Sequence, residues 1–430
     1  MVDAGDKNAC ATVEIHADRL VMAGGGTVEN RVLSSDNSPP AAVRQPGTSL
    51  PYTVVDTGQS LCYDTTQEIA CPRPGEQFYG QDAHYHGPQP AYRDNEDGTI
   101  SDLNTGLMWA SSGAKKLTWQ DAARGAIACR VGGHDDWRLP TIKEMYSLIL
   151  FSGTDPDLRG GIGGLKPFID TRFFPFQYGQ AEDGDRLIDS QFATATRCVT
   201  PIMHGVQAMF GVNFADGRIK AYPIEARGPR TKTYHAFYVR GNPSYGRNDF
   251  ADNGDGTVTD RATGLMWMKD DSGKGMTWED ALAYCENFEL AGFSDWRLPN
   301  AKELQSIVDY TRSPDTSDSA ALAPVFQATV ITNEGGNPDY PFYWTGTTHA
   351  RLRGGMSAVY IAFGRALGFM EDRQRGGARQ LMDVHGAGAQ RSDPKTGDPR
   401  RFPEGRGPQG DVVRVHNYVR CVRTGSSIAK

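Results

Sequence analysis

"DNGDGTVTDRATGLMW" at residues 252–267 restates "DNEDGTISDLNTGLMW" at residues 94–109, and the organisation of the chain follows from that repetition. The likeness continues downstream: "LTWQDAARGAIACRVGGHDDWRLPTIKEMYSLI" (117–149) stands in register, without a gap, over "MTWEDALAYCENFELAGFSDWRLPNAKELQSIV" (276–308). A period of about 160 residues is far longer than the few dozen residues of a solenoid unit, so the two stretches read as two domains of one fold.

Each copy has the same local grammar. Val258, Leu265 and Trp267 flank a Thr/Gly turn, which predicts two short strands, and residues 99–109 predict the same pair in the first copy. Thr118 with Asp121, and Thr277 with Asp280, predict capped helix starts before apolar residues at helical spacing. A second capping signal, Thr141 with Glu144 or Asn300 with Glu303, follows the proline of "DWRLP". "AMFGVNFADGRIKAYP", "AVYIAFGRALGFM" and the terminal "YVRCVR" read as strands, so each copy holds two helices among short antiparallel strands, an α+β pattern.

The 430 residues are 38% hydrophobic, enough for a substantial core, and abundant Gly (50) and Pro (25) point to a loop-rich fold. Residues 1–88 lie outside the repeat and read as an extension of short strands and turns packed on the first copy, with domains at 89–245 and 246–430. No apolar run is long enough to span a membrane, and no signal-peptide pattern is visible in the stretch given. A net charge of −7 argues against nucleic acid as partner.

The motif set "DNGDGTVTD…TGLMW", "TW.DA…DWRLP…EL" and "YVRCVR" resembles the DUF1566 family, the C-terminal domain of the Legionella collagen-like adhesin, over roughly 90–240 and 248–424. That resemblance implies two tandem domains similar to C-type lectins and the formylglycine-generating enzyme. It also implies an exported protein at the bacterial cell surface or outside the cell, with adhesion, including binding of sulfated polysaccharides, as its better-understood role.

Comparison of the copies predicts the cystine pattern. Cys285 and Cys421 align with Ala126 and Gly241, so both are absent together from the first copy, as expected of a bonded pair. The same logic pairs Cys129 with Cys198, whose counterparts are Phe288 and Thr348, and leaves Cys62 with Cys71 as a local loop. Cys10 is then free or intermolecular.

The acidic phrase carries Asp94, Asp97 and Asp102, and Asp252, Asp255 and Asp260, at spacings that suit the oxygen ligands of Ca²⁺. The alternative is an Asx turn, favoured because no bidentate Glu stands at the twelfth position. Asp136 with Arg138, and Asp295 with Arg297, read as structural pairs around core tryptophans rather than a ligand clamp. His84 and His86 lack a third ligand nearby.

The most irregular stretch is 373–414, with nine basic against five acidic side chains in an acidic protein. Arg373, Arg375, Arg379, Arg400, Arg401 and Arg406 form its candidate binding set, since planar guanidinium suits sulfate, phosphate or carboxylate. Few apolar residues predict an exposed loop. No catalytic motif is visible, so the expectation is a non-enzymatic binding protein whose partner is a polysaccharide or surface protein. A structural subunit of an extracellular filament or array, hence a homo-oligomer, is the alternative, and a formylglycine-generating-enzyme-like activity comes third.

Overall fold

The computed structural model describes residues 50–425, apart from 114, 157–162, 226–230, 353 and 372–376. A short hairpin of β1 (Cys62–Tyr63) and β2 (Glu68–Ile69) precedes the first copy. That copy runs β3 (Tyr92–Asp94), β4 (Thr99–Asp102), β5 (Leu107–Ser111), α1 (Trp119–Ala128), α2 (Ile142–Ser147), β6 (Gln191–Phe192), β7 (Ala208–Asn213), β8 (Arg218–Pro223) and β9 (Phe237–Gly241). The second runs β10 (Phe250–Asp252), β11 (Thr257–Asp260), β12 (Leu265–Met268), α3 (Trp278–Glu286) and α4 (Ala301–Ser306). It continues with α5 (Pro314–Ser317), β13 (Ile331–Thr332), β14 (Pro338–Asp339), β15 (Phe342–Thr348), β16 (Ser357–Ala362), β17 (Leu367–Glu371), β18 (Arg379–Asp383), β19 (Gln390–Pro394) and β20 (Val422–Thr424).

The repeated phrase folds as an Asx turn feeding a meander. Asp252 Oδ1 accepts the Gly254 amide at 3.0 Å, and Asp255 Oδ1 accepts the Thr257 amide at 3.0 Å. Asp94 and Asp97 do the same for Glu96 and Thr99, at 2.9 and 3.0 Å. Gly98 and Gly256, both at φ 88°, turn the chain into the first strand, a conformation that glycine adopts without steric cost. Asp102 and Asp260 sit apart from these turns, buried at the strand ends, where Asp102 accepts the amides of Asn104 and Thr105 and Asp260 those of Ala262 and the preceding Asp249. Each meander is closed by the last strand of its own copy, giving the sheets β3-β4-β5-β9 and β10-β11-β12-β20.

The capping signals hold in both copies. Thr118 and Thr277 accept the amides of Asp121 and Asp280, and complete capping boxes start α2 and α4. Such a cap stabilises a helix by about 1 kcal/mol, a large share for helices of six residues.

The boundary at 246 does not separate two cores. β6, β7 and β8 of one copy and β15, β16 and β19 of the other form a single six-stranded sheet in the order β15-β16-β19-β8-β7-β6, joined where Gln390 faces Ile219. One apolar cluster runs through both copies, with Trp109, Met145 and Phe210 beside Trp267, Leu304 and Val359. The helices α2 and α4 meet reciprocally: Lys143 Nζ donates to the Ser306 carbonyl at 2.6 Å, and Lys302 Nζ donates to the Ser147 carbonyl at 2.8 Å. Lys143 and Lys302 are equivalent positions, as are Ser147 and Ser306, so the copies are related by an approximate two-fold axis.

Residues 50–88 lie chiefly on the second copy, contrary to the expectation from sequence. Gln59 exchanges hydrogen bonds with the backbone of Thr348, at 2.7 and 2.8 Å. Asp82 Oδ2 accepts the hydroxyls of Thr57 and Thr347, and Tyr85 donates to Glu286. The extension also touches the first copy, through the Phe151 amide and the Thr57 carbonyl.

Candidate anion site at the seam

Two of the expected cystines are present, Cys62–Cys71 and Cys285–Cys421. The third is corrected: Cys198 is a free, buried thiol, and Cys129, although disulfide-bonded, is not bonded to it; Cys10 lies outside the described residues. The structure also shifts the counterpart of Cys198 by one residue. Thr194 and Thr345 both accept the indole N–H of the helix-starting tryptophan, which makes His349, not Thr348, the counterpart of Cys198. The sulfurs of Cys62 and Cys71 and the ring of His84 form the one three-residue cluster at metal-ligand distances among the described residues, but their sulfurs are spent on each other. The carboxylates of the two acidic phrases do not converge in this way; their oxygens are directed at the turn amides described above.

Segment 373–414 is not one exposed loop. Arg373 and Arg375 lie outside the described residues. Arg379 begins β18, which pairs with β17 as a hairpin, and is exposed beside Glu404. Arg400 and Arg401 are exposed on a short turn, with Arg400 paired to Asp398. The middle of the segment is β19, buried in the six-stranded sheet between β16 and β8, because pairing on both edges leaves it no solvent-facing edge. Low apolar content misled here: Arg391 and Asp393 are buried in spite of their charge.

Their surroundings form a cavity of 340 Å³ at the seam, floored by β8 and β19 and roofed by the turn Arg406–Asp411. Six cations line it: Arg186, Arg218, Lys220, Arg351, Arg391 and Arg406. Arg218, from the first copy, makes a bidentate pair with Asp155 at 2.8 and 3.0 Å and reaches across the seam to Ser392 Oγ and His349 Nδ1, each at 3.3 Å. Arg351, from the second copy, reaches back to Asp155 at 3.2 Å. Lys220 pairs with Asp216 at 3.2 Å, Arg186 with Asp189 at 2.8 Å, and Arg391 with Asp411, which also accepts His385 Nε2–H at 2.8 Å.

The electrostatics follow from this crowding. Burial alone would raise the carboxyl of Asp155, but the Arg218 guanidinium holds it well below the usual range. Asp411 is likewise held low by Arg391 and then His385, against its burial. Burial and then Arg218 push the His349 imidazole down to about 3, and burial and then Arg391 push His385 down to about 4, so both rings are neutral at pH 7. Burial lifts Asp393 to about 7.

Arg406 differs from the other five cations. Its backbone bridges Asp411 at 2.8 and 2.7 Å, which fixes it over the cavity, yet its guanidinium has no carboxylate within ion-pair distance among the described residues. One N–H points at the Ser392 carbonyl, at 3.5 Å. Arg391, Tyr222 and Asp216 line the same cavity, and Arg391 Nη1, Tyr222 Oη and Asp216 Oδ1 are buried with no hydrogen-bond partner among the described residues. An arrangement of paired charges with one unpaired guanidinium is suited to a ligand that brings its own negative charge.

Arg406 was within the set expected from sequence; Arg218, Lys220, Asp155 and Asp216 were not. One signal was available. In "GRIKAYP", Arg218, Lys220 and Tyr222 alternate, as do Arg391 and Asp393 in "QRSDP", so each strand turns one polar face to a common side. What brings the two faces together is the pairing of Gln390 with Ile219, which neither strand specifies alone.

A two-copy, loop-rich α+β architecture built mainly of short antiparallel sheets, with a charged cavity at the junction of the copies, is the class that fold and site define. The chain belongs to the family of the Lcl C-terminal domain, whose model matches residues 98–240 and 256–380. No curated protein matches it. The cystines are consistent with export, and among the described residues no helix is long and apolar enough to cross a membrane.

Proposed function

We propose that this is an exported, surface-associated protein that acts by binding rather than by catalysis, holding an anionic group of a polysaccharide or surface partner in the seam cavity. Membership of the Lcl C-terminal domain family and the two cystines support the location. The C-type-lectin-like fold that the resemblance implies is supported by the closing of each meander by its own last strand. The observation that carries the binding reading is Arg406, held over a cavity in which the other cations have carboxylate partners.

Retention of the protein on immobilised acidic and neutral polysaccharides tests this reading. Acidic polymers are expected to retain it at low salt, less as salt is added, and Arg406→Met is expected to abolish retention. Arg400→Ala with Arg401→Ala is expected to weaken it only modestly, since these side chains sit outside the cavity. Retention unchanged in Arg406→Met overturns the assignment of the site.

A further inference from the structure

We infer that the seam cavity takes a polyhydroxylated carboxylate, a single acidic sugar unit, in preference to a simple inorganic anion or a neutral sugar. This rests on the binding reading above and narrows its ligand.

The argument is one of matched donors and acceptors. At 340 Å³ the cavity lies at the small end of ligand pockets, about 300–1,000 Å³, so its occupant is of single-ring size. Arg406 and the unpartnered Nη1 of Arg391 are donors, and together they suit a carboxylate or sulfate. Asp216 is 1% exposed, and its Oδ1 has no donor among the described residues, although Oδ2 holds Lys220. An ionised carboxylate oxygen can only accept, so it repels a bare sulfate and is satisfied by a hydroxyl. Tyr222, 8% exposed, presents an unpartnered hydroxyl that can donate or accept. An acceptor-only anion therefore satisfies Arg406 and leaves Asp216 Oδ1 bare. A neutral sugar satisfies Asp216 Oδ1 and leaves Arg406 uncompensated. A ring carrying one carboxylate and several hydroxyls meets both needs, and each unmet buried group counts against the poorer fit.

The site also needs both copies: Arg218, Lys220, Asp216 and Tyr222 come from the first, and Arg391 and Arg406 from the second. A single copy would present one set without the other, the first copy Asp216 and Tyr222 for the hydroxyls and the second Arg391 and Arg406 for the carboxylate, which gives the tandem arrangement a functional reason.

Calorimetric titration of the full chain with glucuronate, galacturonate and mannuronate, beside glucose, acetate and inorganic sulfate, tests the inference. At least one hexuronate is expected to bind ten-fold or more tightly than glucose, acetate and sulfate. Arg406→Met is expected to bring that hexuronate to the level of glucose. Tyr222→Phe, which removes a hydroxyl that bonds to none of the described residues, is expected to weaken the hexuronate several-fold and leave sulfate unchanged. Sulfate or acetate binding as tightly as any hexuronate, with both lost in Arg406→Met, would overturn the inference while leaving the anion site standing. Glucose binding as tightly as the hexuronates, or no probe binding at millimolar concentration, would overturn both.

Discussion

Arg138 in the first copy and Arg297 in the second make the same bidentate contact with the glutamate that caps the next helix, yet the Arg138 side chain is 41% exposed and that of Arg297 is 11%. The local code is the same: an arginine between tryptophan and proline, then a capping box whose glutamate stands six residues on. The difference comes from the extension before the first copy, which lays Tyr85 over Arg297 at 5.2 Å and, among the described residues, gives Arg138 no equivalent cover. A repeated sequence thus writes the same contacts twice, while the dielectric around them depends on which copy a third segment covers.

The largest expected effect comes from breaking that pair of pairs. Arg297→Ala is expected to cost about 3–5 kcal/mol in denaturant unfolding, because it strands Glu303 in a buried setting. Arg138→Ala is expected to cost about 1.5–3 kcal/mol: Glu144 is itself buried, at 2% exposed, but the space left by the 41%-exposed guanidinium opens to water, which can take its place. Equal costs would show that the extension does not control burial at the second site.

The second contrast is covalent. Cys285→Ser with Cys421→Ser is expected to lower stability by about 2–5 kcal/mol. The strand pairings correct the counterpart of Cys421: Val239 faces Trp109 as Val422 faces Trp267, so Tyr238, not Gly241, stands where Cys421 does, and transplanting the bond by Ala126→Cys with Tyr238→Cys is expected to give no matching gain. Tyr238 is buried in one apolar cluster with Ala122 and Ala126, so its ring fills the space that the cystine takes in the second copy, and replacing it leaves a cavity. Stabilisation on oxidation of the transplanted pair would break this account of why the first copy lacks its cystine.

A smaller, pH-dependent effect distinguishes the two lysines on the approximate two-fold. Burial pushes Lys302 down to about 7 and Lys143 down to about 8, against about 10.4 in an unfolded chain. Between those values the unfolded chain holds more protons than the folded one, so the contribution of each lysine makes stability rise with pH. Lys302→Met is expected to remove a rise that begins near pH 7, and Lys143→Met one that begins about a unit higher, as read from the difference in melting temperature from wild type. Coincident onsets would mean that the two environments are equivalent.

The least effect is expected from Arg400→Ala with Arg401→Ala, within about 0.5 kcal/mol of wild-type stability, because both side chains are exposed. The test sharpens the contrast within 373–414 between its exposed arginines and the buried Arg391.

The sequence by itself determined whatever depends on neighbours along the chain. The Asx turns, the capping boxes, the strands on either side of "TGL" and the Cys285–Cys421 bond were legible, because an aspartate two residues before an amide, or a cysteine lost together with its partner, leaves its mark locally or in the comparison of two copies. Cys129 with Cys198 failed because joint absence from the other copy is also what two unrelated cysteines show: Thr348 and His349 alike are non-cysteine, so the comparison could not tell a bonded pair from a free thiol. Only the tertiary structure decided that the copies share one sheet and one core, that the extension covers the second copy, and that Arg391 and Asp393 are buried. Those outcomes turn on which sheet edges meet and what is excluded from water between them, and the pairing of Gln390 with Ile219, 171 positions apart by number, leaves no periodic trace in either strand.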